Sequence, residues 1–485
     1  MEKIYIRKIN EVYNKITAEP SIMMEMKDYF KFSVPGAKFT PAYRRKQWDG
    51  FIYLYNPLTG LLYGGLNKYV EEFAKKRNYE IEYESDFSAD EFSLKEARDF
   101  ITTLNIPEKY IPRNYQIDAF VHAVRERRSL LLSPTASGKS FIIYLLSRYY
   151  NARTLIIVPT TSLVSQLASD FADYGFASDR FVHRIFAGQD KQTDKLITIS
   201  TWQSIYKLPK EYFEQFDVVI GDEAHLFKAK SLISILSKLD SCKYRFGFTG
   251  TLDGTQTHKL VLEGLFGSVR KVTSTSDLIE QKHLADLKIK AIVLTYPDEI
   301  RKMIARSADY QSEIDYIVSL SARNNFIKNL TLSLEGNTLL LFQYVEKHGK
   351  LLYDILKKDC ETRKIFFVHG GIDGSERENI RKIVEEEQNA IIVASYGTFS
   401  TGVNIRNLHN VIFASPSKSK IRNLQSIGRG LRKSDSKDSA TLYDIADDMS
   451  WKSKKNFTLL HFMERIKIYN EEKFEYKIYT VSIKI

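Results

Sequence analysis

From about Ile111 to Val272, short apolar runs alternate with longer stretches whose apolar residues recur every three or four positions. Leu130–Leu132, Thr154–Val158, Leu196–Ile199, Val218–Ile220 and Tyr244–Phe248 read as strands buried on both faces, with amphipathic helices between them. That order predicts a doubly wound parallel sheet. A polar, charged passage from about Ser274 to Asn337 is expected to be partly helical. The alternation then resumes, with strands expected at Thr338–Phe342, Ile365–Val368, Ala390–Ala394, Val411–Ala414 and Thr441–Tyr443. Residues 1 to about 90 are mixed in pattern and close on an acidic run, Glu80 to Glu91, read as a domain edge or linker. The fold class is therefore α/β: two parallel-sheet lobes, 100–280 and 281–450, preceded by a small α+β N-terminal domain, 1–90, and followed by an extension, 451–485. Neither low-complexity tracts nor short repeats interrupt this plan.

The first lobe carries two pieces of chemistry. Leu130-Leu-Leu-Ser-Pro-Thr-Ala-Ser-Gly-Lys-Ser140 is an apolar strand, a tight loop and the start of a helix expected over Ser140 to Tyr150. In that order, backbone N–H groups and a helix N-terminus converge on one point and can cradle phosphates, here through Pro134, Thr135, Ala136, Ser137 and Gly138. Lys139 adds a point charge, and the Ser140 hydroxyl can serve Mg²⁺. Ser133 stands where such loops usually begin with Gly. The second piece, Phe216-Asp-Val-Val-Ile-Gly-Asp222-Glu223-Ala-His225, delivers two carboxylates at a strand's C-terminal end, where ligands of open α/β sheets bind. Asp222 is expected to hold Mg²⁺ and Glu223 to orient and deprotonate an attacking water. Together the two pieces predict nucleotide hydrolysis.

The second lobe has neither a phosphate loop nor a carboxylate pair, so the nucleotide is expected between the lobes. Gln425-Ser-Ile-Gly-Arg429-Gly-Leu-Arg432 supplies positive charge: two arginines three apart share a helix face and can meet one anion.

Seven ordered motifs over residues 111 to 445 resemble superfamily 2 helicases and translocases of the DExH type. They are Arg113-Asn-Tyr-Gln116 with the phosphate loop, Pro159-Thr-Thr-Ser162, Thr201-Trp-Gln203, Asp222-Glu-Ala-His225, Thr249-Gly-Thr251, Ser400-Thr-Gly-Val-Asn404 and Gln425 to Arg432. The resemblance implies RecA-like motor lobes using ATP and Mg²⁺. It implies that Arg113 and Gln116 read the adenine edge, while Tyr115 either packs beside the base or belongs to the core. Gln425, Arg429 and Arg432 become catalytic groups, and Gly402 and Asn404 approach the nucleotide. His225, Thr249 and Thr251 couple hydrolysis to lobe movement. Thr160, Thr161, Thr201, Trp202 and Gln203, with Ser395, Thr398 and Thr401, face a nucleic-acid strand.

Further segments, Phe30-Lys-Phe-Ser-Val-Pro-Gly-Ala-Lys-Phe39, Arg44-Arg-Lys-Gln-Trp48-Asp-Gly50, Ile52-Tyr-Leu-Tyr-Asn56, Ala394-Ser-Tyr-Gly397 and Lys418-Ser-Lys-Ile421, resemble the UvsW family of phage recombination helicases, nearly end to end. That implies unwinding and branch migration of single-stranded, duplex and branched DNA, action on RNA–DNA hybrids, and phage recombination or replication proteins as partners. Outside that family the alternatives are a restriction-system motor subunit, an RNA helicase, or a nucleotide-gated DNA clamp with little turnover.

Composition changes the picture in two places. A net charge of +11 over 485 residues favours a polyanionic partner. Arg44, Arg45 and Lys46, interleaved with Tyr43 and Trp48, are the expected DNA-binding surface of the N-terminal domain. Trp48, ahead of Asp49-Gly50, fits a core aromatic before a turn equally well. Lys452, Lys454 and Lys455 fit either a phosphate contact or a solvated face. Two cysteines, Cys242 and Cys360, and nine histidines without His-x-x-x-His spacing offer neither a disulfide framework nor a zinc site. The first residues lack the apolar run of a signal peptide, so the expectation is a soluble protein of the cytoplasm, the host's if the source is a phage.

Overall fold

The computed structural model describes residues 2–34, 36–186, 188–227, 229–252, 255–306, 309–401, 405, 407–415, 427 and 439–484. The chain forms two compact units, 1–133 with 138–272, and 134–137 with 273–485.

The first unit opens with β1 (Lys3–Lys8), β2 (Tyr13–Thr17), β3 (Lys31–Ser33), β4 (Phe51–Tyr53), β5 (Leu61–Tyr63) and β6 (Glu80–Tyr83). These make a four-stranded mixed sheet, β5-β2-β1-β6, and a separate β3-β4 ribbon. Ile4, Ile6, Ile16, Leu62, Leu66, Val70 and Phe73 form the core between the sheet and the helix Asn67–Arg77. The acidic run expected at a domain edge or linker starts with a strand, since β6 pairs in parallel with β1, Ile4 opposite Ile81, and continues without regular structure to residue 93. Its alternating Glu-Ile-Glu-Tyr suits an edge that sets Ile81 half-buried against the core and leaves its carboxylates in water.

The motor part of this unit contains β7 (Arg128–Leu132), β8 (Thr154–Val158), β9 (Val182–Ile185), β10 (Ile197–Thr201), β11 (Val218–Gly221), β12 (Tyr244–Thr249) and β13 (Val269–Lys271). Among the described residues they form one parallel sheet in the order β13-β7-β12-β11-β8-β10-β9. Burial on both faces explains the unbroken apolar runs. One exception, Arg245 on β12, is fully buried and donates to the carbonyls of Leu236, Leu239 and Leu265 at 2.9, 2.7 and 2.9 Å. Its guanidinium satisfies the carbonyl ends of two helices, Lys230–Lys238 and Gln256–Phe266, which a cation there also favours electrostatically.

The second unit contains β14 (Asp286–Thr295), β15 (Thr338–Phe342), β16 (Ile365–Val368), β17 (Ile391–Ser395), β18 (Asn410–Phe413), β19 (Ser439–Asp448) and β20 (Tyr476–Ser482). They form a second parallel sheet, β16-β17-β15-β18-β19-β14-β20. Inside the passage expected to be partly helical, β14 runs for 10 residues between β19 and β20, because its polar half, Asp286-Leu-Lys-Ile-Lys, masks the apolar Ala-Ile-Val-Leu that follows. Helices do fill the rest, at Asp298–Arg306, Tyr310–Ser319 and Ser321–Ser333. Residues beyond 451 join this same sheet through β20, and the helix Phe457–Glu471 packs on β19. The buried Glu313 carboxylate accepts from Phe457 N and Thr458 N at 2.9 and 2.7 Å, capping that helix from outside it.

Candidate active site

The first motor sheet places the phosphate loop and the carboxylates side by side, since β7 and β11 both flank β12. After β7 the chain turns at Gly138, whose φ of +78° starts the helix Lys139–Tyr150. A Cβ there would stand 2.3 Å from Gln116 Nε2, so only glycine fits. Gln116 is buried, with its side chain spanning the N–H of Arg113 at 2.9 Å and the carbonyl of Gly138 at 3.4 Å. Arg113 donates to the Tyr115 hydroxyl at 2.7 Å. The segment expected to read the base is thus tied to the loop expected to hold the phosphates.

Ala136 lies in the left-handed region at φ +66°, and the Ser137 hydroxyl donates to the carbonyl of Pro134 at 2.7 Å. Ser133 is buried, and its N–H donates to Thr249 O at 2.8 Å. This position is built into the sheet's end, where a side chain is tolerated.

Lys139 is the centre of the charge arrangement. Its ammonium lies 3.0 Å from Glu223 Oε1 and 3.6 Å from Asp222 Oδ1. Burial opposes charging Lys139, but the Glu223 and Asp222 carboxylates win and raise its pKa above the ordinary value. Burial likewise works against Glu223, yet Lys139 and the His225 ring hold that carboxyl well below the usual range. Asp222 goes the other way: burial pushes it up, and the more distant lysine compensates less. The two carboxylates therefore differ in proton affinity, Asp222 holding a proton more tightly than Glu223.

Glu223 has φ +51°, a strained conformation for a branchless but bulky residue, held by its own N–H donating to Asp222 Oδ1 at 2.9 Å. His225, largely buried, sets Nδ1 3.3 Å from Glu223 Oε2 and 3.1 Å from Thr249 Oγ1. The Thr249 hydroxyl gives its proton to Thr251 O at 2.9 Å, which assigns Nδ1–H to His225. Glu223, His225, Thr249 and Thr251 are consequently one connected set.

Ser140 and Asp222 are hard oxygen donors of the kind Mg²⁺ takes, with water and phosphate completing its shell. Sequence reasoning missed the partner of Ser140: its hydroxyl lies 2.9 Å from that of Tyr174, far along the chain. Among the described residues no group of three His, Cys, Asp or Glu could hold a metal alone.

The strand-facing candidates differ in presentation. Thr160 caps the helix Thr161–Asp173, accepting from Leu163 N at 3.4 Å, with Thr161 exposed beside it. Thr201 is buried and bonded to Ser204 at 2.9 Å; Trp202 packs edge-on to Tyr206, and Gln203 is exposed. Ser395 and Thr398 are buried with their hydroxyls on each other at 2.8 Å. Arg44, Arg45 and Lys46 are all exposed. Trp48 is half-buried and donates to Phe51 O at 2.7 Å, across the Asp49-Gly50 turn. Lys452, Lys454 and Lys455 are exposed, and Lys454 donates to Ala305 O at 2.6 Å. The Thr401 side chain, Gly402, Asn404, Gln425, Arg429 and Arg432 lie outside the described residues.

With this geometry in place, comparison with known proteins is decisive. The family model "DNA helicase UvsW, N-terminal" matches residues 4–84, and the phage T4 protein named ATP-dependent DNA helicase uvsW is 37% identical over 97% of both chains. The chain belongs to the UvsW helicase family. Its crystal structure relative, T4 UvsW, is 36% identical, covers 99% of each chain and superposes with a TM-score of 0.53. The other family models matched are "Type III restriction enzyme, res subunit" at 109–254 and "Helicase conserved C-terminal domain" at 321–434. A DNA 3'-5' translocase XPB2 of Sulfurisphaera tokodaii is 25% identical over 68% of this chain and 80% of its own length. The UvsW relationship thus spans the N-terminal domain as well as both motor lobes.

Proposed function

We propose that this chain is an ATP-dependent DNA helicase that moves branch points in recombination, repair and replication intermediates. The observation that carries the reading is the Lys139 ammonium shared between Glu223 and Asp222 at the mouth of the phosphate loop, in a UvsW-family chain. Both carboxylates and phosphates compete for that lysine. When ATP takes it, Glu223 loses the partner that keeps it a weak base, and its affinity for the proton of an attacking water rises. Mg²⁺, held by Ser140 and Asp222, would neutralise charge on the β- and γ-phosphates. Pro134, Thr135, Ala136, Ser137 and Gly138 cradle the phosphates, Arg113 and Gln116 meet the adenine, and Gly402, Asn404, Gln425, Arg429 and Arg432 complete the site. His225, Thr249 and Thr251 pass its state on. Thr160, Thr161, Thr201, Trp202, Gln203, Ser395, Thr398 and Thr401 track the strand.

Residues 1–90 make the motor branch-specific, followed by motor lobes at 100–280 and 281–450 and the extension 451–485. Branch migration breaks one base pair for each one formed, so the ~1.4 kcal/mol mean stacking cost per step is nearly returned. Grip and direction then matter more than force. Arg44, Arg45 and Lys46, exposed on one short segment, supply grip through phosphate contacts. Forked and four-way DNA and RNA–DNA hybrids are the substrates, phage recombination and replication proteins the partners, and the host cytoplasm the setting.

The test compares unwinding of forked and simple substrates at two salt concentrations, for the wild type and for Arg44→Glu, Arg45→Glu and Lys46→Glu combined. Loss on forks with single-strand-stimulated ATPase largely spared supports the reading. Equal loss on both substrates, or none, makes the domain a structural support.

A further inference from the structure

The helix Gln256–Phe266 begins shortly after Thr251 and has two ends of different character. Near its start, His258 is 4% exposed and its Nε2 lies 2.9 Å from the carbonyl oxygen of His225. A carbonyl only accepts, so this nitrogen carries the proton and donates. His225 is the residue whose ring touches Glu223. Further along, the same helix is built into the N-terminal domain. Leu260 belongs to that domain's core with Ile4, Leu66 and Phe73. Glu263, 4% exposed, accepts from the Tyr69 hydroxyl at 2.6 Å.

The backbones themselves meet here. A Cβ on Gly65 would lie 2.0 Å from Glu263 O, and one on Gly264 would lie 2.7 Å from the Tyr63 Cβ. Contact this close leaves no room for sliding, and packed interiors transmit displacement instead of absorbing it. A cleft of about 760 Å³ lined by Tyr13, Tyr53, Tyr63 and His258 opens beside the helix, and the connection runs through Tyr63, the turn Gly64–Leu66, Tyr69 and Leu260.

We propose that His258 is a positioning residue for ATP hydrolysis, the link through which DNA load on the N-terminal domain alters the placement of Glu223. The path is Tyr69 and Gly65, the helix Gln256–Phe266, His258, the His225 backbone and the His225 ring on Glu223. It rests on the reading above, in which the N-terminal domain grips DNA and Glu223 is the base.

The test uses the full chain and four variants: His258→Ala, His258→Gln, Tyr69→Phe, and His258→Ala with Tyr69→Phe. Gln can place an N–H close to where Nε2–H stands. ATPase kcat and KM are measured without DNA, with a single-stranded oligonucleotide and with a forked one. His258→Ala should lower kcat on forked DNA about fivefold or more, in the range of ordinary coupling between sites. The loss without DNA should be smaller and KM for ATP should hold. His258→Gln should restore much of the fork response, and Tyr69→Phe should add little in the His258→Ala background. Equal losses with and without DNA, no rescue by Gln, or additive effects of Tyr69 and His258 would each overturn the proposal. Failure of the underlying reading looks different: the wild type itself would not distinguish forked from single-stranded DNA.

Discussion

Replacing Lys139 by Met keeps the aliphatic stem and removes the charge, which isolates what the ammonium does for the two carboxylates. Removing one partner of a buried ion pair costs about 3–5 kcal/mol. Here the side chains of Lys139, Asp222 and Glu223 keep 17%, 14% and 22% of their exposure, so water reaches the carboxylates and relieves part of the loss. A cost of about 2–3 kcal/mol at pH 8 is expected on that scale. Its pH dependence has a definite sign. In the wild type, Glu223's folded pKa lies below its unfolded value, so its stabilisation is present above the unfolded value of roughly 4.3 and is lost as pH falls through the folded one. Without the lysine the carboxylates repel, at least one folded pKa rises above its unfolded value, and a penalty grows as pH rises. At pH 4.5 the wild-type contribution is still present, so the difference should already be there and should grow toward pH 8 as the variant's carboxylates ionise. Hydrogen exchange read by mass spectrometry over β7 and β11, corrected for intrinsic rates, measures it locally. Adding Asp222→Asn should recover at least half the cost. A deficit of equal size at both pH values, or no recovery in the double variant, refutes the electrostatic account. In the same preparation, ATP turnover should be nearly abolished with nucleotide-free DNA affinity intact; wild-type turnover would remove Lys139 from the phosphate site.

Glu223→Gln should bind ATP normally and accumulate a DNA-bound complex in filter-binding assays, since positioning survives while the base is lost; failure to bind ATP counts against that role. His348 is fully buried, donates toward Asn324 Oδ1 at 3.3 Å, and receives the Ser415 hydroxyl proton at 3.0 Å; burial and the nearby Arg323 push its pKa down to about 3. A folded pKa below the unfolded value means protons favour unfolding, so the second unit should lose about 2 kcal/mol between pH 7 and pH 5, at 1.36 kcal/mol per unit. In His348→Gln that part of the slope should vanish in urea melts. Glu313→Ala strips a buried carboxylate from Phe457 N, Thr458 N and Asn456 Nδ2 and should cost about 2–3 kcal/mol, by hydrogen bonds to a charged group, with exchange in Phe457–Glu471 rising first; unchanged protection there would deny the cap.

What the sequence disclosed follows from which constraints are local. A strand covered on both faces has to be apolar throughout, so Thr154–Val158 and Thr338–Phe342 are legible as written and fall where expected. A phosphate loop needs glycine and lysine at fixed positions beside a strand and a helix, all within one short segment. Strands with charged positions escape this logic. β6 and the first half of β14 alternate charged and apolar residues, a pattern equally at home in a solvated segment, and only the partners β1 and β19 decide it. In the acidic run the charge density hides a period of two that covers only Glu80–Tyr83. Side-chain partners are harder still. That Ser140 meets Tyr174, or that His258 reaches back to the carbonyl of His225, depends on where two distant segments are brought together by the sheet.

The His258 ring did carry one usable signal: polar and ionisable, it sits in a helix otherwise rich in Leu, Val and Phe, about one and a half turns from Glu263. Polar groups in such surroundings are buried only with partners. Finding His258 and Glu263 on one apolar helix therefore announces two contacts, without naming them. The fold names them as the carbonyl of His225 at one end and the hydroxyl of Tyr69 at the other, so one helix ties the Asp222–His225 segment to the N-terminal domain.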